Sequence, residues 1–509
     1  MRQSSRARPL AAAMMRSGNG EWPIRRRRIM RPMVIDPASC YRALSTHDAR
    51  FDGRFFVGVS STRIYCRPVC RVRTPRADRC RYFPSAAAAE VAGFRPCLRC
   101  RPELAPGYAS VDAAERLAQA AVELIDGGIL DDGGLEALAA RLGVTSRHVR
   151  RLFERAFGVT PVEYAQTHRL LLAKRLLTDT ALPVTEVALA SGFRSVRRFN
   201  ALWKERYRMA PTRVRRIAPA TGASTAMRFE LAYRPPYDFA AMLDFLGARA
   251  VDGLERVDER AYRRTLAIPH RGAQHAGWIG VSMAARRPVL VLDVAPSLAR
   301  VVPQVLARVR HAFDLGCHPA DVAAALGALG AAAPGLRVPG TVDGFEIAVR
   351  AIVGQQVSVR AARTLLGRIV AHVGTVVADA PAGLTHAFPA AADVAALPPA
   401  VLSALGVLPA RAATIVAVAG AVARGELDLA PGASVERARE VLAAIRGVGP
   451  WTIEYITMRA LGWPDAFPAG DLVLQRALGE TTAAAARERS APWRPWRAYA
   501  AMHLWRSAP

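Results

Sequence analysis

Two groups of residues in this 509-residue chain have types and spacings that could do chemistry. The first is Cys66-x3-Cys70, followed after 26 residues by Cys97-x2-Cys100. Four thiolates in two close pairs make a closed tetrahedral zinc site, which would hold together a segment with a small core. The second is the string Leu442–Asp471, LAAIRGVGPWTIEYITMRALGWPDAFPAGD. An apolar helical run (Val441, Leu442, Ile445) ends in Gly447-Val448-Gly449, and an amphipathic helix opens at Pro450. Two glycines flanking one residue predict a very tight turn, because glycine takes positive φ without strain. Proline suits the first helical position, where its missing N–H would be unpaired anyway. The free amides of the turn and the helix start then point at one spot, which suits a phosphate. A carboxylate, Asp471, follows 22 residues after Gly449. Taken alone, the pattern also fits an ordinary helical hairpin with a surface aspartate.

The elements that must position these groups are bounded by the composition. The length has room for about three or four domains, and 51% apolar residues make them packed and globular. A formal net charge of +28 points to a polyanionic partner, most simply nucleic acid. The charge is uneven: residues 1–220 carry 40 basic against 19 acidic residues, residues 221–509 carry 30 against 23. Five of the seven cysteines fall between 66 and 100, a metal-site distribution suited to a reducing compartment. No apolar run is long enough to span a membrane, and PLAAAMM lies on the wrong side of Arg25–Arg28 for a signal peptide. The expected location is the cytoplasm.

Residues 1–32 are Arg-rich without hydrophobic periodicity and are expected to be a disordered basic arm; Met30 and Met33 are alternative starts. Residues 33–106 form the cysteine-bearing unit, with Phe55–Val59 and Arg63–Cys66 read as strands. The wording RIYCRPVC and FRPCLRC resembles the N-terminal domain of the Ada alkylation-response proteins. That resemblance implies one Zn2+ held by Cys66, Cys70, Cys97 and Cys100, with Cys66 accepting a methyl group from a DNA methylphosphotriester. Zinc would keep the thiol as a nucleophilic thiolate. Methylation would remove one negative charge from the site and favour DNA binding, a one-use switch. Cys80 stands outside the pairs.

Residues 107–216 read as helical. Leu135–Thr145 leads into Ser146-Arg147-His148-Val149-Arg150-Arg151-Leu152-Phe153, and the pattern recurs at Val184–Phe193 followed by Ser195-Val196-Arg197-Arg198-Phe199. Each is a short helix, a Gly-containing turn and a basic amphipathic helix, the first expected to be capped by Ser146, and together they are the helix-turn-helix signature. Two such units about a long helix at 161–178, closing in FNALWKERYRMAPTRVRR, resemble the AraC-type DNA-binding domain. The positions offered to DNA are Arg147, His148 and Arg150, then Arg194, Arg197 and Arg198; each could read a base, touch a phosphate or face solvent.

Residues 217–226 read as a linker, and 227–335 as an α+β unit. RPPYDFAAMLDFLGARAV and DLGCHPADV resemble the N-terminal domain of AlkA-type glycosylases, and Cys317 and His318 read as packing residues. From 336 to 509 the chain is helical. VDGFEIAVRAIVGQQVSVRAARTLLGRIVAHVG and the hairpin string resemble the helix-hairpin-helix DNA glycosylases, most closely the AlkA type of 3-methyladenine glycosylase. The resemblance implies that Gly447, Val448 and Gly449 grip the DNA backbone. It places Gln356, with Gln355 before it, as the wedge filling the gap left by a flipped base. It also puts Trp451, Tyr455 and Trp505 around the base pocket, although aromatic core packing fits Tyr455 nearly as well. Asp471 would stabilise the cationic sugar and orient the attacking water.

The expected fold is therefore multidomain: a small zinc-bound α+β domain, an all-α AraC-type double helix-turn-helix, an α+β AlkA N-terminal domain and an all-α helix-hairpin-helix glycosylase domain. No lysine follows Lys204 and Trp451 stands just after the hairpin. The amine nucleophile of a lyase is missing there, so a monofunctional glycosylase is expected. A Pro-Cys-His-Arg motif, which would mark an O6-methylguanine transferase, is not found. The expected partner is double-stranded DNA, alkylated or promoter; an activator adds RNA polymerase, no membrane is involved, and a monomer is the default. Two simpler proteins compete with the bifunctional one: a glycosylase whose front half only adds DNA affinity, and a regulator whose glycosylase half is silent.

Overall fold

The structure, a computed structural model, describes residues 36–106, 113–217 and 226–507. The expected basic arm at 1–32 and nearly all of the linker at 217–226 lie outside the described residues.

The first unit opens with α1 (Pro37–Ser45), whose N-terminal amides are capped by the Asp36 carboxylate. A four-stranded sheet of order β3-β1-β2-β4 follows, made of β1 (Phe56–Val59), β2 (Ile64–Cys66), β3 (Cys80–Phe83) and β4 (Arg95–Pro96). β4 lies parallel to β2 with Tyr65 opposite Pro96. The next residue on each strand is a cysteine, Cys66 and Cys97, so the register alone brings the two pairs to one sheet end. α2 (Ala86–Val91) covers the sheet from a Ser85 cap.

The helical unit comprises α3 (Ala113–Asp126), α4 (Gly134–Arg141), α5 (Ser146–Phe157), α6 (Pro161–Asp179), α7 (Val184–Ala190), α8 (Val196–Tyr207) and α9 (Pro211–Ile217). α5 and α8 each bury an apolar stripe: Val149, Leu152 and Phe153 on one, Phe199, Trp203 and Tyr207 on the other. A Thr160–Glu163 capping box starts the long connecting helix α6.

The third unit is a five-stranded antiparallel sheet, β5-β9-β8-β7-β6, from β5 (Met227–Ala232), β6 (Glu255–Val257), β7 (Ala261–His270), β8 (Ala273–Met283) and β9 (Val289–Val294). α10 (Phe239–Gly247), α11 (Val302–Ala312) and α12 (Pro319–Leu326) accompany it. The sequence suggests a free-standing domain behind a linker, but the core is shared. Trp203, Tyr207 and Val214 of the second helix-turn-helix belong to one apolar cluster with Phe229, Leu292 and Phe313. α6 packs against β5 and α7 against the turn at 296–301, which joins the apolar faces of the helices to that of the sheet, a pairing that neither pattern announces by itself.

The last unit is helical, as expected, and packs α13 (Gly344–Val353), α14 (Val359–Val373), α15 (Pro409–Ala423), α16 (Val435–Ala444) and α17 (Pro450–Arg459) around a common core. α18 (Leu472–Leu478) and α19 (Arg497–Ser507) close the C-terminal end. Buried ion pairs, Arg264–Glu346 at 2.7 Å and Arg350–Glu255 at 2.5 Å, fasten this unit to the preceding sheet.

One buried carboxylate joins the first two units. Glu90 on α2 is 3% exposed and accepts hydrogen bonds from Tyr65 Oη at 3.0 Å, Thr167 Oγ1 at 3.3 Å and Tyr207 Oη at 3.3 Å. It thus ties the residue before Cys66 to α6 and to the end of α8. Burial pushes the Glu90 carboxyl up to about 7, against the opposing pull of these hydroxyls and Arg206. Since the folded value lies above the unfolded one, the folded state binds the proton more tightly. Stability is therefore fullest below about pH 4.5 and is lost as pH rises towards 7, by up to about 1.4 kcal/mol per pH unit. The difference in melting temperature between wild type and Glu90→Gln should accordingly change across pH 5–7; a constant difference would refute the assignment.

Candidate functional site

The described cysteines that could hold a metal are Cys66, Cys70, Cys97 and Cys100, whose sulfurs all lie within 4.8 Å of one another. Sulfurs each about 2.3 Å from a shared zinc would do the same. Cys66, Cys70 and Cys97 are buried and Cys100 is partly open. Cys100 Sγ accepts the Arg67 backbone N–H at 3.4 Å. Arg67, buried beside the site, donates to both Asp52 oxygens and to Cys100 O at 3.2 Å. It is therefore spent on holding the loop, not offered to phosphate. Cys80 stays outside the cluster, as expected.

At the other end of the chain, the three residues expected around a base pocket converge with the carboxylate Asp471. Asp471 caps α18, its Oδ1 accepting from the N–H of Val473 at 2.9 Å and of Leu474 at 3.1 Å. The Trp451 indole N–H donates to Oδ2 at 3.0 Å and that of Trp505 to Oδ1 at 3.2 Å. The carboxylate is thus held from two sides by aromatic walls. Trp451 and Tyr455 stack with ring centroids 5.1 Å apart and planes 13° from parallel, and Trp505 lies 6.4 Å from Tyr455. Flat apolar faces beside a fixed negative charge suit a planar base attached to a sugar that becomes cationic.

The hairpin differs from expectation in one respect. Gly447 has φ +92°, but Gly449 has φ −89° and serves as the extended N-cap of α17. Only the first glycine is required by backbone geometry. A Cβ on Gly447 would lie 2.3 Å from Thr414 Oγ1, whereas one on Gly449 would meet nothing within 4 Å. The second glycine leaves open space before the free amides of α17, where a backbone phosphate would approach. Gly447→Ala should therefore cost about 1–3 kcal/mol through strain and crowding and weaken DNA binding. Gly449→Ala should leave stability within about 0.5 kcal/mol and weaken DNA binding alone. Melting curves and duplex-binding titrations of the two variants check this, and equal melting losses would contradict it.

Gln355 and Gln356 take different parts. Gln355 Nε2 donates to Gly447 O and to Thr452 Oγ1, both at 3.0 Å, so this side chain braces the hairpin. Gln356 is exposed at φ +52° in the turn between α13 and α14. In the helical unit, Arg147 and Arg150 on α5, Arg197 and Arg198 on α8, and Arg194 just before α8 are exposed. His148 is half-buried, its Nδ1 3.3 Å from Arg151 Nη2. α5 is capped by Thr145, not by Ser146 as the sequence suggests; the Thr145 hydroxyl accepts from the His148 N–H. Cys317 and His318 are buried packing residues, as expected.

Sequence reasoning missed two contributors. Thr414 on α15 donates to Arg446 O at 2.9 Å, just before the hairpin, and fixes the space for Gly447. Arg459, four residues after Tyr455, donates to the Tyr455 hydroxyl, and that spacing is the signal that could have found it.

Fold and site together define a DNA-directed protein that joins a helix-hairpin-helix base-excision glycosylase to a zinc-bound sensor unit and a helix-turn-helix. Successive parts match the families described as metal binding domain of Ada (39–103), helix-turn-helix domain (138–217), AlkA N-terminal domain (228–343) and HhH-GPD superfamily base excision DNA repair protein (349–491). The chain belongs to the family of bifunctional transcriptional activator/DNA repair enzymes of the AlkA type. It is 41% identical to the "Probable bifunctional transcriptional activator/DNA repair enzyme AlkA" of Mycobacterium tuberculosis over 93% of this chain and 97% of that protein. It is 37% identical to the DNA-3-methyladenine glycosylase 2 of Escherichia coli, over 54% of this chain and 96% of that protein. With the Escherichia coli "Bifunctional transcriptional activator/DNA repair enzyme Ada" it shares 33% identity over 30% of this chain and 42% of that protein. The four-cysteine centre accordingly binds one zinc ion, and double-stranded DNA is the partner. Among the described residues no helix is long and apolar enough to cross a membrane.

Proposed function

We propose that this protein both removes alkylated bases from DNA and senses alkylation by taking a methyl group onto Cys66. The single observation that carries the first part is the Asp471 carboxylate held between the indole N–H groups of Trp451 and Trp505. A flipped base of the 3-methyladenine type would lie against the aromatic faces. As its bond to the sugar breaks, Asp471 would stabilise the positive charge at C1′ and orient the water that adds there. Gln356 would fill the vacated stack, and the amides after Gly447 would hold the phosphate backbone. An alkylated purine is already a good leaving group, so broad specificity is compatible with so few polar contacts.

In the sensor unit, zinc would supply the thiolate form of the ligands at neutral pH. Cys66, the first cysteine of the first pair, is the acceptor that the resemblance to the Ada domain implies, and as a thiolate it is the nucleophile. Its Sγ would attack the methyl carbon of the triester, forming the S–C bond as the C–O bond breaks, and the phosphate would leave as an ordinary diester. The site would lose one negative charge, easing the approach of DNA to Arg147, His148, Arg150, Arg194, Arg197 and Arg198. RNA polymerase would be the further partner at a promoter, and the protein would act as a monomer. The unit boundaries 33–106, 107–216, 227–335 and 336–509 serve this reading, with the second and third sharing a core.

The test uses the full chain on methylated duplex DNA with labelled methyl groups, scoring free bases and protein-bound label separately. Free 3-methyladenine and label on Cys66 are both expected. Label without free base would leave a regulator only, and free base without label a glycosylase only.

A further inference from the structure

Arg459 is 4% exposed and lies one helical turn after Tyr455 on α17. Its guanidinium donates to Pro339 O, to Gly340 O at 3.1 Å and to Tyr455 Oη at 2.7 Å. Among the described residues no carboxylate lies within ion-pair distance of it. A buried cation without a counter-ion is costly, and one beside an active-site side chain points to a role beyond packing. A second guanidinium adds to the charge: Arg249 lies 3.8 Å over the Phe245 ring, with Arg459 4.9 Å from the same ring.

The consequence for Tyr455 follows from the donor inventory. A phenolic oxygen can accept a hydrogen bond and donates only one. The Arg459 N–H takes an acceptor position at 2.7 Å, so the hydroxyl proton must point elsewhere. Among the described residues it meets no acceptor. The ring that carries this unspent donor stacks on Trp451, whose indole holds Asp471, so it borders the proposed base pocket. Burial opposes ionisation of Tyr455, but Arg459, Arg249 and Arg350 together outweigh it and hold the phenol below its usual value, which makes it a stronger donor.

We propose that Arg459 is a positioning residue that presents the Tyr455 hydroxyl as a hydrogen-bond donor to the departing base, and so extends release to uncharged bases. This rests on the reading of Trp451, Tyr455 and Trp505 as the base pocket. When an uncharged purine leaves, both electrons of its bond to C1′ go to the base, which departs as an anion. A donated O–H and a fixed positive charge lower that cost, while water adds at C1′ and releases its proton to solvent. A purine alkylated on a ring nitrogen is already cationic and departs neutral. It needs no donor and gains nothing from a nearby cation.

The experiment compares single-turnover release of hypoxanthine and of 7-methylguanine from otherwise identical duplexes. The enzymes are wild type, Arg459→Met, Arg459→Lys and Tyr455→Phe, with a melting curve for each. Arg459→Met should slow hypoxanthine release about tenfold or more, with 7-methylguanine changed by less than about threefold, and Tyr455→Phe should slow hypoxanthine release at least as much. Arg459→Lys should recover part of the loss. Equal slowing of both bases, or of neither, would overturn the proposal, as would a wild type that releases 7-methylguanine but no hypoxanthine. A wild type that releases neither base fails as a glycosylase, a different failure recognised by the 7-methylguanine control.

Discussion

Asp471→Asn should slow release of 3-methyladenine from methylated duplex DNA by about 100- to 1,000-fold, while duplex binding and melting temperature stay close to wild type. The fold is spared because asparagine caps a helix as well as aspartate does, and the bonds from Val473 and Leu474 need only one oxygen. The chemistry is not spared. The negative charge beside C1′ disappears, and the new amide N–H2 faces one of the two indole N–H groups that now clamp the carboxylate. Two donors then oppose each other, and the clamp opens on one side. Single-turnover release measured on pre-bound DNA separates this from weaker binding. A variant that keeps release within about tenfold of wild type would mean that the charge does not carry the reaction.

Cys66→Ala should abolish methyl uptake from phosphotriester DNA altogether, whereas base release should continue at the wild-type rate. Three thiolates remain, enough to retain zinc with a water in the fourth place. Metal content measured by mass spectrometry of the native protein should therefore show one zinc per chain, and peptide mapping should find no methylated cysteine. Cys97→Ala makes the informative contrast. Cys97 follows β4, which is joined to β2 by the Cys97 N–H to Tyr65 O bond of 3.0 Å, so losing this ligand loosens the seam between the strands. Zinc binding supplies about 10–16 kcal/mol of folding free energy in small zinc modules, and the sensor unit should become protease-sensitive. Methyl found on Cys70, Cys97 or Cys100 of the wild type would displace Cys66 from its role.

Much of this was legible in the sequence because local patterns carried it. The paired cysteines report a metal site through spacing alone, and the two basic stripes before Phe153 and Phe199 report recognition helices through their period. Asp471, Trp451, Tyr455 and Trp505 required the resemblance as well, since 54 residues separate Trp451 from Trp505 and nothing local joins them. What stayed hidden depends on contacts between distant segments. Glu90 reads as one acid in an alanine-rich helix until Tyr65, Thr167 and Tyr207 close around it. The difference between Gly447 and Gly449 depends on Thr414, which is far away in the chain. The Thr145 cap was missed by one residue because Ser146 has the same cap chemistry.

The shared core of the second helix-turn-helix and the five-stranded sheet couples the two units as folded objects. Cutting the chain between residues 218 and 225 would leave Trp203, Tyr207 and Val214 on one fragment and Phe229 and Leu292 on the other, each without part of its apolar cover. Such fragments would tend to stick to themselves or to each other instead of standing as independent modules. A mutation that weakens the sheet would also loosen the DNA reader, so base removal and promoter binding would decline together.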